Sequence, residues 1–189
     1  MRRIGTVAAI LALAGTGIVG TAGTAGAVGQ QAETVGSVCA TRWGSGVKAA
    51  DHSQAEPLRN IRTGRGTCYD RMVFDVSGAT EKIGYHVGYV DAFRQDGSGR
   101  KIPVKGGAIL QIQVSAPSYD PATGRSTYAA KVGRPLPGVN ITGYKTFRDT
   151  TFGASFEGQT QVGLGVRARL PFRVFQIGDR LVVDVAHTW

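Results

Sequence analysis

The chain is poor in the residues that most often carry chemistry. In 189 residues it has three histidines, two cysteines and two methionines. No His-x-His or His-x-x-x-His pair occurs, and no histidine stands at ligand spacing from either cysteine. The spacing therefore marks no zinc site, and no cofactor is expected. Charged residues make up 19 per cent, below the usual quarter, which excludes a disordered polyelectrolyte. Alanine-leucine-glutamate heptads are missing, which excludes a long coiled coil. The glycines follow no triplet, which excludes collagen. Away from the N-terminus no run approaches the ~20 apolar residues of a membrane span. No glycine run leads through lysine and serine into a helix, so a phosphate loop is excluded. Gly153-Ala154-Ser155-Phe156-Glu157-Gly158 is one residue too long for a nucleophile elbow, and no helix should follow it.

What the chain does have is glycine, apolar residues and basic charge. Its 28 glycines are about 15 per cent of the residues, twice the usual share. A hydrophobic content of 42 per cent is enough for one real core. The start reads as a secretory signal. Arg2 and Arg3 precede an uncharged apolar stretch over 4–19, and Ala25-Gly26-Ala27 supplies a small-x-small cleavage pattern. The expected division is a signal peptide over 1–27, a flexible segment over 28–42 and one domain over 43–189. Losing Arg2 and Arg3 lowers the formal net charge from +9 to +7. Cys39 and Cys68 both fall in the secreted part, and an even count in an exported chain argues for a disulfide between them.

From residue 69 onward the pattern is strand after strand. Met72, Phe74 and Val76 alternate with Arg71, Val73 and Asp75, a period of two. Residues 84–90, 108–114 and 161–170 alternate in the same way, and 139–147 is a weaker case. Over 161–170, Val162, Leu164, Val166, Ala168 and Leu170 should face inward. Gln161, Gly163, Gly165, Arg167 and Arg169 should face outward. Glycine inside a strand marks a bend or a close approach of another backbone. Residues 172–177 and 181–186 flank Gly178-Asp179-Arg180, a hairpin signal. Asp96-Gly97-Ser98-Gly99 and Asp120-Pro121-Ala122-Thr123-Gly124 are turns. One helical turn is expected near 49–55, and a turn over 63–66. The expected fold is all-β, a sandwich of short, mostly antiparallel strands with a disulfide-tied N-terminal extension.

The candidate chemistry is thin. His86 should lie on the solvent face of its strand, His52 in a loop, and His187 at the end of the last strand. Asp70 and Asp75 read as salt-bridged surface aspartates. Arginine is the remaining lead. Arg167, Arg169 and Arg173 cluster across the last two long strands, and Arg71 joins them from a neighbouring strand. Such a face would be drawn to acidic polymer within a Debye length of ~8 Å. The competing reading is that these arginines pair with Asp70, Asp75, Asp179 and Asp184 and only solubilise the sheet. The export signal argues against nucleic acid as a partner.

Several stretches carry a family resemblance. They are Trp43-Gly44-Ser45, Ile61-Arg62-Thr63-Gly64, Tyr69-Asp70-Arg71-Met72-Val73-Phe74-Asp75 and Tyr85-His86-Val87-Gly88-Tyr89-Val90-Asp91. The chain closes with Pro171-Phe172-Arg173-Val174-Phe175 and Leu181-Val182-Val183-Asp184-Val185-Ala186-His187. Over roughly 43–187 the sequence resembles the AMIN-like domain of secreted proteins and lipoproteins from high-GC Gram-positive bacteria. The resemblance implies a β-sandwich and a non-catalytic module of the cell envelope. Its partner would be peptidoglycan, an anionic wall glycopolymer or another envelope protein. It offers no catalytic residue to carry over. The expectation is therefore a secreted, monomeric, non-enzymatic module binding acidic wall polymer through Arg71, Arg167, Arg169 and Arg173. Two alternatives stand beside it. One is a hydrolase acting on wall material, with His86 or His187 as base. The other is a protease inhibitor presenting the Cys39–Cys68 loop.

Overall fold

The computed structural model describes residues 39–52 and 56–189. The signal peptide expected over 1–27 and residues 28–38 of the expected flexible segment lie outside the described residues. So do residues 53–55 of the helical turn expected near 49–55, whose first residues, Ala49 and Ala50, belong to a strand instead.

Nine strands run through the described residues: β1 (Lys48–Ala50), β2 (Asn60–Arg65), β3 (Tyr69–Asp75), β4 (Tyr85–Val90), β5 (Ala108–Val114), β6 (Phe147–Phe156), β7 (Gln159–Val166), β8 (Phe172–Ile177) and β9 (Arg180–Ala186). They form two antiparallel sheets. Sheet A has the order β1-β4-β5-β7-β6, and sheet B the order β2-β3-β9-β8. The expected all-β architecture is what the chain adopts. The period-two pattern explains the core. Met72 and Phe74 of β3, Leu181, Val183 and Val185 of β9 and Phe172 of β8 meet Val87, Leu110, Ile112, Val162 and Leu164 of sheet A.

Three local expectations are corrected. Residues 139–146 are turns rather than a strand, because Gly138 and Gly143 sit at φ 73° and 79°. Val139 and Ile141 pack against the core from those turns. The strand in this region is β6, where the buried Phe147, Phe152 and Ala154 are interleaved with the buried Thr150 and Thr151, and two register shifts break the alternation. The segment around 63–66 continues β2 to Arg65. Finally, β7 ends at Val166. Beyond it, Arg167 N–H donates to Thr146 O at 2.9 Å, and the chain crosses to sheet B through Leu170 and Pro171.

The β4–β5 connection covers part of the outer face of sheet A. Phe93, fully buried, lies on Gly163 and Gly153, where an added Cβ would stand 2.8 Å and 2.6 Å from its ring. Burying that ring contributes roughly 1.5–3 kcal/mol. At Gly165 an added Cβ would stand 1.8 Å from Lys105 O. This is the close backbone approach that glycine on an outward strand position marks. Gln161, 1 per cent exposed, pins the strap. Its Nε2 donates to Arg94 O (2.7 Å) and Asp96 Oδ1 (2.9 Å), and its Oε1 accepts from Asp96 N–H (3.1 Å). The Asp96-Gly97-Ser98-Gly99 turn is thus held against the sheet by its own aspartate.

The N-terminal extension closes one side of the sandwich. Cys39 and Cys68 are disulfide-bonded across a separation of 29 residues. Gly44 O then accepts from Phe172 N–H at 2.9 Å on the β8 edge. Further on, β1 pairs with β4 at the edge of sheet A. Between the cysteines the chain contributes one strand to each sheet, β1 to sheet A and β2 to sheet B.

Candidate functional site

The solvent side of sheet B carries an ordered ladder of side chains. In register, Arg71 of β3, Asp184 of β9 and Arg173 of β8 stand directly across from one another. Asp184 is fully buried, whereas the side chains of Arg71 and Arg173 are 28 and 39 per cent exposed. The carboxylate accepts from Arg71 Nε (2.6 Å) and Nη2 (2.9 Å), and from Arg173 Nε at 2.9 Å. The bonds to Asp184 hold the Arg71 guanidinium more firmly protonated than an ordinary arginine. One carboxylate shared by two guanidiniums leaves the rung with one net positive charge.

Aromatic rings frame that rung. The Arg173 guanidinium lies 4.4 Å from the Trp43 ring centroid, 4.8 Å from Phe175 and 5.6 Å from Tyr69. Arg71 lies 4.9 Å from Tyr69 and 5.5 Å from Phe175. Trp43 and Tyr69 are themselves 6.0 Å apart. Each ring draws a cation to its face, so rings and guanidiniums hold one another in place. Val73 and Val182 lie beneath this layer, 8 and 2 per cent exposed. Below the rung, Asp75 binds Arg62 and Arg180 (2.8 and 3.2 Å).

The four arginines singled out from sequence are therefore divided. Arg71 and Arg173 share the ladder. Arg167 and Arg169 stand on the crossover after β7, because that strand stops before them. Arg167 donates to His187 O, and Arg169 Nε lies 3.5 Å from Ser45 Oγ. Among the described residues neither has a carboxylate within 4 Å. Acid pairing thus covers Arg71, Arg173, Arg62 and Arg180 but leaves the two crossover arginines out. The aromatic partners of the ladder were not part of the sequence-derived site. Trp43 reaches it from outside the alternating strands, and only register shows that Tyr69 and Phe175 flank the rung.

Asp70 corrects its surface assignment. It is fully buried, and its carboxylate accepts from Thr146 N–H (2.5 Å), Phe147 N–H (3.3 Å) and His187 Nε2 (3.1 Å). His187 Nδ1 faces Thr67 O at 3.1 Å. This cluster ties the end of β9 to the start of β3 beside the disulfide. His187 is consumed by structure, and so is Ser155, whose Oγ accepts from Ser118 N–H (2.8 Å). His52 and His86 do share a cleft of about 480 Å³ with Asp51, Ser115 and Glu157. Among the described residues no hydrogen bond joins Ser115 to either histidine. None of their groups of three or more His, Cys, Asp or Glu side chains could hold a metal ion.

The described residues thus form a two-sheet antiparallel sandwich whose sheet B carries an arginine-aromatic ladder. Residues 56–187 match the family model of the AMIN-like domain, and the chain belongs to that family. Trp43 and β1 lie before the matched residues. No curated protein and no solved structure matches the chain. Membership of this family points to a cell-wall-associated module, of a kind that is generally non-catalytic. Among the described residues no helix is long and apolar enough to cross a membrane.

Proposed function

We propose that this protein is an exported, non-catalytic module that associates with the cell envelope by binding peptidoglycan or its acidic glycopolymers. The carrying observation is the ladder on sheet B, where Trp43, Tyr69 and Phe175 interleave with Arg71 and Arg173. Flat rings suit the apolar faces of sugars, and immobilised guanidiniums suit carboxylates and phosphates. Asp184 fixes the guanidiniums before any ligand arrives, which lowers the entropy lost on binding. Arg167 and Arg169, without acid partners, add the unneutralised charge that attracts a polyanion.

The test is retention of the protein on purified wall material, with and without its anionic polymer, across a salt series. Replacing Arg71 and Arg173 alone would leave Asp184 buried and unpaired, which costs about 3–5 kcal/mol. The informative variant is therefore Arg71→Gln, Arg173→Gln and Asp184→Asn together, beside a second variant with Arg167→Gln and Arg169→Gln. Wild-type retention should saturate and survive about 150 mM salt, where the Debye length is ~8 Å. The triple variant should lose that salt-resistant part, and the double variant should flatten the salt dependence. Retention unchanged in both variants would overturn the proposed face.

A further inference from the structure

A second cleft, of about 400 Å³, opens beside the crossover, and Tyr89, Asp91, Val104, Gly106, Gly107 and Arg169 line it. Arg169 is built into it rather than draped over it. Tyr89 Oη donates to Leu170 O (2.8 Å) and accepts from Leu170 N–H (3.0 Å). Trp189 Nε1 donates to Arg169 O at 3.1 Å. The main chain at 169–170 is therefore fixed by three hydrogen bonds, and the guanidinium lies 5.2 Å from the Tyr89 ring centroid. The opposite wall is as constrained. An added Cβ at Gly107 would stand 2.2 Å from Arg167 O, and one at Gly106 2.7 Å from Val166 O. Only glycines let this wall lie so close to the crossover, and they leave backbone rather than side chains facing the cleft.

Charge defines what such a cleft can hold. Arg169 supplies a planar fork of donors with no carboxylate within 4 Å among the described residues. Asp91, exposed at the end of β4, supplies one acceptor of opposite sign and is not ion-paired to Arg169. Val90, Val104 and Ile109 add apolar lining to the same cleft. A cation, an anion not paired to it and apolar lining in one cleft complement a small ligand carrying a carboxylate, an ammonium and an apolar body.

We propose that this cleft binds a short zwitterionic peptide, with its carboxylate on Arg169 and its ammonium toward Asp91. The inference does not rest on the wall-binding reading, because its ligand is small, soluble and free of sugar. The test is a titration of the full isotope-labelled chain with alanyl-alanine, followed by amide chemical shifts. Saturable shifts should appear at Tyr89, Asp91, Gly106 and Gly107. Capping the carboxylate as an amide should weaken binding by about ten-fold, the loss of a charge-assisted hydrogen bond, and Arg169→Gln should abolish that difference. Acetylating the amine should weaken binding less, and Asp91→Asn should abolish that smaller difference. Equal binding of the free and amidated dipeptides to the wild-type chain would overturn the proposal. So would an absence of saturable shifts at the cleft. Since the first comparison uses only the wild-type protein, a misfolded variant cannot mask the answer. A wild-type chain that binds the dipeptide but is not retained on wall material would overturn the wall-binding reading alone.

Discussion

Replacing Gly165 by alanine puts a methyl group where the sandwich has no room. The new Cβ would stand 1.8 Å from Lys105 O and 2.9 Å from Asp149 Cβ. Carbon and carbonyl oxygen do not ordinarily come closer than about 3.3 Å, so one backbone must retreat by roughly 1.5 Å. Lys105 cannot do so cheaply. Its N–H donates to Asp149 Oδ2 (2.8 Å), and two residues on, Gly107 N–H donates to Val166 O (2.8 Å). Overpacking of this kind costs up to about 3 kcal/mol, which for a body of this size lowers the melting temperature by about 6–12 °C. Gly64 on β2 is the control, since nothing lies within 4 Å of its Cβ position. There alanine should change stability by no more than about 1 kcal/mol, and upward if at all. Calorimetric melting of the two variants beside the wild type measures the contrast. A Gly165→Ala melting temperature within about 2 °C of Gly64→Ala would refute the claim that the strap is pressed onto sheet A.

Two further outcomes follow from particular groups. Replacing Cys39 and Cys68 by serine should cost about 3–4 kcal/mol through loop entropy, read as a lower urea midpoint that matches the wild type under reductant. Burial raises the Tyr128 phenol above its ordinary value near 10, so the fold prefers the protonated form. Its contribution is intact below pH 10 and is lost as pH climbs past that value. Denaturant midpoints compared at pH 9 and pH 11 should fall, and Tyr128→Phe should fall less while starting lower, because Pro137 O loses its donor at 3.0 Å.

Alternation made the core legible in advance. Met72, Phe74, Leu164 and Val183 all reach it from strands with a clear period of two. The outward glycines were legible as an anomaly, and Phe93 and Lys105 supply its cause. What alternation could not give is where a strand stops in the absence of a break in pattern. Residues 167–170 continue the inside-outside rhythm of β7, yet the chain has already left the sheet. Hydrogen bonds from Arg167 N–H to Thr146 O and from Gly107 N–H to Val166 O decide that, and both are non-local. β6 failed for the opposite reason. It buries Phe147, Phe152 and Ala154 beside Thr150 and Thr151, but register shifts between Phe147 and Asp149 and between Phe152 and Ala154 break the period of two. Asp70 was misplaced because a charge on an alternating strand reads as outward. Here an imidazole and two backbone N–H groups make the inward position tenable.

Net charge is a poor guide to which arginines of this protein meet a ligand by charge alone. Arg71 and Arg173 looked like half of a cationic patch, but Asp184 returns one of their two charges and is wholly buried between them. What remains at that rung is geometry: two guanidiniums fixed against Trp43, Tyr69 and Phe175. Arg167 and Arg169 differ in kind, since they retain full charge beside glycine-lined backbone. Attraction over a Debye length should follow the crossover pair, and the salt-resistant part of binding should follow the ladder. The two sheets make that division possible. The strap over Gly163 and Gly165 covers the middle of the outer face of sheet A, while sheet B keeps its ladder open. The same strap, through Gly106 and Gly107, builds the wall against which Arg169 stands.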